Sequence, residues 1–177
     1  MTVADHIFTG ANHFCVVTAD VDRAVRTYAD RYGFGPWSVF AYDPSSMNVT
    51  IRGEHVDFEM RVGLCQIGPG FMIELIQPVG DGNLYAESLA AQGGADHVHH
   101  LKLDVADFDQ ASGHLEGLGL AKILDGRFEG TEQGSEAHGV YYGTEADLGF
   151  LLEIGELTPN FTMTDPEYVY PAVRSAS

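Results

Sequence analysis

The stretches HFCVVTADVDRA, residues 13–24, and HLKLDVADFDQA, residues 100–111, decide the fold. Each begins with a histidine in a short run of β-forming residues, which predicts a strand. Seven residues after each histidine comes an aspartate, Asp20 or Asp107, which opens the motif Asp-apolar-Asp-x-Ala. Because aspartate is a good helix N-cap, each stretch predicts a strand followed by a helix. The recurrence predicts that the whole unit is duplicated.

Both copies also end alike. Each predicted helix ends near a glycine, Gly33 or Gly119, and each copy closes on an apolar strand with one glutamate, FMIELI (71–76) or FLLEI (150–154). Turn residues separate about three strands after each helix. The sequence therefore predicts an α+β fold of two tandem βαβββ modules, residues 10–82 and 97–157. A linking helix is expected within residues 83–96 and a surface tail over residues 158–177.

The charge balance excludes several classes of function. The net charge is −17, with only 9 Lys and Arg, so the basic surface that a nucleic acid or an anionic membrane requires is missing. No apolar run approaches the roughly 18 residues of a membrane span. The opening MTVADHIFTG has no signal-peptide pattern, so a cytoplasmic protein is expected. Cys15 and Cys65 lie in apolar runs and are interpreted as buried, unpaired residues.

Four side chains occupy equivalent positions of the repeat: His13, Glu74, His100 and Glu153. Taken singly, each histidine could be structural and each glutamate could be a solvated residue of an edge strand. A charge inside an apolar strand must otherwise be paired or bound to metal. Two imidazoles and two carboxylates suit a divalent ion such as Zn, Ni, Co, Mn or Fe(II). Within HVHH (97–100), His100 is chosen because its spacing to Asp107 matches that of His13 to Asp20, and strict alternation puts His99 on the opposite face.

The sequence resembles the vicinal oxygen chelate superfamily, which includes glyoxalase I, methylmalonyl-CoA epimerase and extradiol dioxygenases. The resemblance covers residues 10–157 and rests on NHFCVVTADVDRAVRTYADRYGF, FMIELIQP, HHLKLDVADFDQA and YYGTEADLGFLLE. It implies curved mixed sheets around a metal-containing cavity, with the four side chains above as ligands. It also implies a small-molecule substrate and a homodimer. In such proteins Glu153 would serve as both ligand and base, and a further acid would come from the preceding strand, where Asp57 is favoured over Glu54 and Glu59.

These observations predict a glyoxalase-like or epimerase-like metalloenzyme, an isomerase, epimerase or lyase that uses metal-stabilised proton abstraction next to a carbonyl. The candidate bases are Glu153, Glu74 and Asp57. A binding or resistance protein and an Fe(II)-dependent dioxygenase are the alternatives, although the second glutamate argues against the dioxygenase. The candidate substrate-binding residues are Arg61, His138 and Tyr142. Arg52 and Arg127 are alternatives to Arg61, and Tyr141 lies on the strand face opposite Tyr142.

Overall fold

A computed structural model describes residues 6–171. The elements of the first module are β1 (Phe8–Val17), α1 (Val21–Arg26) with a π-helical turn (Thr27–Arg31), β2 (Trp37–Tyr42), β3 (Met47–Ile51), β4 (Glu54–His55), β5 (Glu59–Gln66) and β6 (Met72–Val79). The remaining elements are α2 (Leu84–Ala91), β7 (His97–Val105), α3 (Phe108–Gly117), β8 (Lys122–Glu129), β9 (Glu136–Tyr142), α4 (Glu145–Leu148), β10 (Leu151–Leu157) and β11 (Tyr168–Tyr170). Both predicted strand–helix units are therefore present.

All the strands belong to one mixed sheet in the order β11-β2-β5-β6-β1-β7-β10-β9-β8-β3-β4. The two modules meet at its centre, where β1 and β7 pair antiparallel. On either side of this pair the closing strand of each module runs parallel to the opening strand, β6 beside β1 and β10 beside β7. The duplicated sequence thus becomes an approximate twofold arrangement, which brings the two histidine strands and the two glutamate strands together.

The helices that follow β1 and β7 pack on one face of the sheet and leave the other face to form a cavity. Asp20 and Asp107 cap them as predicted, since each side chain accepts a hydrogen bond of 2.9 Å from the backbone three residues on. In the first module α1 lies so close to β5 that a Cβ at Gly63 would stand 3.3 Å from Val21 and 3.4 Å from Val25. A larger residue at this position would require α1 to shift by a few tenths of an ångström.

Two segments extend the sheet beyond the predicted modules. The β3–β4 hairpin leaves the first module and pairs with β8 of the second, with Val49 opposite Gly126. The expected surface tail also differs from the prediction, because β11 pairs with β2, with Tyr168 opposite Val39. Residues 172–177 of that tail, and residues 1–5 of the region examined for a signal peptide, lie outside the described residues. Over residues 6–171 no helix is long and apolar enough to cross a membrane.

Candidate metal centre

The four predicted ligands lie on the four central strands of the sheet and converge on one point. Their separations are short: His100 Nε2 lies 3.2 Å from Glu74 Oε2 and 3.1 Å from Glu153 Oε2. His13 Nε2 lies 3.4 Å from Glu74 Oε2, 3.3 Å from Glu153 Oε2 and 3.3 Å from His100 Nε2. Donor atoms about 2.1 Å from a common ion stand about 3.0 Å apart at octahedral angles and about 3.4 Å apart at tetrahedral angles. The donor atoms of His13, His100 and Glu153 all lie within 4.8 Å of one another, which fits a single divalent ion. Glu74 falls in a second such group with His100 and Cys15, and its Oε2 faces both histidines.

The hydrogen bonding of the carboxylates supports the same conclusion. Glu74 Oε2 and Glu153 Oε2 are buried, and neither has a hydrogen-bond partner among the residues that the structure describes. Buried anionic oxygens are costly unless a cation pairs with them, and here the cation is either a protonated imidazole or a metal ion. The donor set of two imidazoles and two carboxylates is the one that borderline divalent metals accept. The residues present therefore fit the metal that the sequence predicts.

The charges of the cluster are strongly coupled. Burial alone would lower the pKa of His13, but the carboxylates of Glu74 and Glu153 outweigh burial and raise it to about 10. Burial also opposes the charge on His100, and the same carboxylates raise its pKa. Conversely, burial would raise the pKa of both glutamates, but the basic side chains facing them lower it. Without a metal the cluster therefore holds protons on its imidazoles, which an incoming cation must displace.

Two β-bulges orient the two histidines that are predicted as ligands. The β1–β7 register shifts at Asn12, immediately before His13, and at His99, immediately before His100. The side chain of each extra residue reaches the ligand beside it: Asn12 Oδ1 lies 3.1 Å from His13 Nδ1, and His99 Nδ1 lies 3.0 Å from His100 Nδ1. A contact at Nδ1 fixes the ring and directs Nε2 toward the metal position. Bulges commonly re-aim side chains in this way near functional sites.

The bulge corrects the sequence-based placement of His99. Strict alternation puts its side chain on the face opposite His100, but the extra residue in β7 brings both rings to the same site. Burial, with His100 as a second cause, lowers the pKa of His99 to about 3, so its ring stays neutral. A neutral ring can accept a hydrogen bond from His100 Nδ1–H, which makes His99 a partner of the ligand.

Lys102 and Cys15 complete the floor of the site. Lys102 Nζ lies 3.1 Å from Glu153 Oε1, the oxygen that does not face the histidines. Burial opposes its charge, but Glu153 outweighs burial and raises the pKa of Lys102. The Cys15 thiol lies within 4.8 Å of donor atoms of Glu74 and His100. Burial, reinforced by Glu74, raises the pKa of Cys15, so the thiol stays protonated and is the poorer ligand.

A cavity of about 470 Å³ opens above these side chains. His13, Glu74 and Glu153 form its floor, with Lys102 beside them. The hydroxyl groups of Tyr85 and Tyr141 are 2.9 Å apart at its edge, and Tyr141 Oη lies 3.4 Å from His100 Nε2. The volume is that of a small-molecule site, and its polar groups are concentrated at one end.

Comparison with known proteins gives the family. A sequence model of the Glyoxalase/Bleomycin resistance protein/Dioxygenase superfamily matches residues 12–142, which is most of the chain. The chain belongs to this superfamily. That is the superfamily the sequence motifs resemble, and its curved mixed sheet around a cavity is the fold observed here. A search of curated proteins found no match.

Solved structures of superfamily members share the fold. The methylmalonyl-CoA epimerase of Mycobacterium tuberculosis is 21% identical, with a TM-score of 0.62 over 89% of this chain and 94% of that one. A variant of the Streptomyces coelicolor methylmalonyl-CoA epimerase in complex with 2-nitronate-propionyl-CoA is 20% identical, with a TM-score of 0.61 over 84% and 96%. A hypothetical protein from Bacillus halodurans is 15% identical, with a TM-score of 0.60 over 86% and 96%. At these identities the similarity establishes the fold.

Two further predicted site residues, Asp57 and Arg61, do not line the cavity. Asp57 lies at the surface beside His55, with 69% of its side chain exposed, so its placement does not favour a catalytic role. Arg61 lies on the helix-covered face, where it forms ion pairs of 2.9 Å with Asp22 and Glu167. Neither residue lines the cavity.

His138 and Tyr142, the other two predicted substrate-binding residues, lie on β9 but do not line the cavity. His138 packs against Phe108, and its Nε2 lies 2.9 Å from Asp125 Oδ1, so its side chain points away from the cavity. Tyr142 lies in the core under α3, where its hydroxyl is 2.7 Å from Ser112. The tyrosine that lines the cavity is Tyr141, because it is the register partner of Glu153 and shares its face of the sheet.

Lys102 and Asp104, which the sequence analysis did not select, also line the site. A signal for both was available, since residues two and four positions after His100 share its face of a regular strand. Asp104 accepts a hydrogen bond of 3.0 Å from Asn12 and so supports the residue that orients His13. No comparable signal marked Asn12, because its role depends on the bulge.

Proposed function

We propose that this protein is a metal-dependent isomerase, epimerase or lyase that removes a proton next to a carbonyl of a small oxygenated substrate. The observation that carries the proposal is the clustering of two histidine nitrogens and two buried carboxylate oxygens at a cavity, with the nitrogens 3.1–3.4 Å from the oxygens. Similarity of fold to methylmalonyl-CoA epimerases supports the same class of chemistry.

The metal would be held by His13, Glu74, His100 and Glu153. A divalent ion of the kind these ligands accept (Zn, Ni, Co, Mn or Fe(II)) would supply Lewis-acid stabilisation of negative charge that develops on a substrate oxygen. The second carboxylate makes an oxygen-activating Fe(II) centre the weaker alternative, because such centres use one carboxylate and leave three positions open.

We assign the base to Glu74 rather than Glu153. Glu153 Oε1 is engaged by Lys102 at 3.1 Å, and a carboxylate oxygen paired with an ammonium group is a poor proton acceptor. No ion pair or hydrogen bond to Glu74 Oε1 is present within residues 6–171, and the Glu74 side chain is twice as exposed, 14% against 7%. Glu74 Oε1 can therefore accept a proton from a substrate carbon above the floor.

The other residues of the site hold the substrate. Lys102 places a positive charge at the polar end of the cavity, where it would attract a substrate oxygen that becomes negative. The paired hydroxyl groups of Tyr85 and Tyr141 can donate to the same oxygen or return a proton. The apolar walls exclude water, which strengthens each of these electrostatic interactions.

Hydrogen–deuterium exchange tests the assignment of the base. Metal-loaded protein would be incubated in deuterated water with hydroxyacetone and, separately, with methylmalonyl-CoA, and loss of the α-proton followed by NMR. We expect exchange with at least one probe, a loss of about 100-fold or more in Glu74→Gln with the metal retained, and no change in Asp57→Asn. Activity abolished in Asp57→Asn but kept in Glu74→Gln would reject the assignment. Tight probe binding without exchange would favour a binding protein.

A further inference from the structure

Part of the cavity wall comes from the segment between β10 and β11, residues 158–167, here called the C-terminal strap. Two of its side chains, Phe161 and Met163, line the cavity, while Thr162 between them faces solvent. The strap therefore presents alternate side chains to the interior, although it has no regular strand structure at this point.

Backbone contacts attach the strap to the body at both ends. At the near end the Thr158 amide donates to Glu136 O at 3.0 Å, and the Thr131 amide donates to Thr162 O at 2.9 Å. At the far end the Glu167 amide donates to Val39 O at 2.7 Å, and its carboxylate pairs with Arg61 at 2.9 Å. The strap thus runs from the second module to the first across the cavity.

The fit between strap and body is close at Phe161. A Cβ at Gly130 would clash with Ser135 Oγ and would stand 2.9 Å from Phe161 Cδ2 and 3.0 Å from Thr162 O, so a larger residue would force the strap or Ser135 to shift. The Phe161 ring therefore packs directly against the backbone at Gly130. Other apolar side chains continue the wall that it begins: Tyr42, Met60, Met72 and Phe128.

The charges of the cavity limit what it can bind. Lys102 is the one lysine or arginine side chain lining it in the described part of the chain, and that group is already paired with Glu153. Asp104 adds negative charge to the lining. A ligand with several phosphates needs several Arg or Lys partners, which this cavity does not supply.

We propose that the substrate of the metal centre carries an apolar group, aliphatic or aromatic, that packs against Phe161 and Met163 of the strap, and that it carries no phosphate groups. This inference rests on the proposed function, and it names the substrate class of that site. It also distinguishes this chain from the structural relatives solved with coenzyme A esters.

Two hydroxamates test the inference, because acetohydroxamate and benzohydroxamate present the same vicinal oxygens and differ in their apolar group. Their dissociation constants would be measured by calorimetry on metal-loaded wild type, Phe161→Ala, Met163→Ala and the matched control Thr162→Ala. In wild type we expect benzohydroxamate to bind at least about tenfold more tightly, because its ring buries apolar area. In Phe161→Ala and in Met163→Ala we expect the ratio of the two dissociation constants to fall about threefold or more, with the binding of acetohydroxamate unchanged. Thr162→Ala should keep the wild-type ratio.

The outcomes separate the two claims. If neither hydroxamate binds the metal-loaded protein, the proposed metal centre fails, and the inference fails with it. If acetohydroxamate binds but the preference for the ring is missing in wild type, or survives in both Phe161→Ala and Met163→Ala, the strap inference alone is overturned. Coenzyme A, used as a phosphate-bearing probe, should not bind at millimolar concentration, and tight binding of coenzyme A would also overturn the inference.

Discussion

A metal that binds at the proposed centre would displace protons, and the structure gives the scale of the effect. In the metal-free protein the carboxylates raise the pKa of His13 to about 10 and also raise that of His100, whereas a ligand imidazole must be neutral. At pH 7 displacement of the proton from His13 alone costs about three pKa units, or roughly 4 kcal/mol. The apparent dissociation constant should therefore fall about tenfold or more for each unit of pH between 6 and 8.

Calorimetry in buffers of different ionisation enthalpy measures this release directly. Titration of Co(II) in MOPS and in Tris should give between about one and two protons released per ion at pH 7. The control His114→Gln changes an exposed histidine outside the cluster and should leave the count unchanged. A dissociation constant that is flat across this pH range, with no protons released, would refute the reasoning.

Three further predictions follow from the same coordinates. Metal-free protein should lose stability as pH rises from about 6.5 toward 10, because a group whose pKa is raised in the folded state stabilises the fold only while it is protonated. The pKa of His13 sets this window, and chemical denaturation at several pH values measures the loss. Gly155→Ala would place a Cβ 2.5 Å from a backbone oxygen and should lower the free energy of unfolding by about 2 kcal/mol. Gly113→Ala meets nothing within 4 Å and should stabilise α3 by about 0.5 kcal/mol, so thermal unfolding separates the two variants. Each of Tyr141→Phe and Tyr142→Phe removes a buried hydroxyl hydrogen bond and should cost about 1 kcal/mol of stability. Only Tyr141→Phe should also slow α-proton exchange, and slowed exchange in Tyr142→Phe alone would contradict the cavity assignment.

The repeat made the fold and the clustering of the four predicted ligands predictable. Equivalent positions of a duplicated module become symmetry-related positions in space, so a histidine and a glutamate conserved in both copies of this one chain meet at the module interface. Local chemistry was equally informative at Asp20 and Asp107, since an N-cap depends only on residues three positions away.

Features that depend on sheet register escaped the sequence analysis. An inserted bulge residue looks like any other strand residue, so the roles of Asn12 and His99 were hidden, and strict alternation misplaced His99. The choice between Tyr141 and Tyr142 required the pairing of β9 with β10, which the sequence does not give. The strand at the end of the tail pairs with β2 over more than a hundred residues of separation, and local patterns carry no information about such contacts.

The catalytic role that the resemblance suggested for Asp57 is not supported by its position, because the resemblance carries no information about local geometry. Asp57 was favoured by counting back from a turn, and the structure places it at the surface. The β3–β4 hairpin changes the turn lengths on which that count depends. The homodimer implied by the resemblance stays a prediction, which light scattering of the full chain would test.

Elemental analysis of purified, metal-reconstituted protein tests the central claim most directly, with wild type beside His100→Ala and the control His114→Ala. The four-ligand site predicts about one divalent ion per chain in wild type and in His114→Ala, and a loss of about tenfold or more in His100→Ala. Wild type that binds no divalent ion, or His100→Ala that binds as much as wild type, would contradict the metal centre.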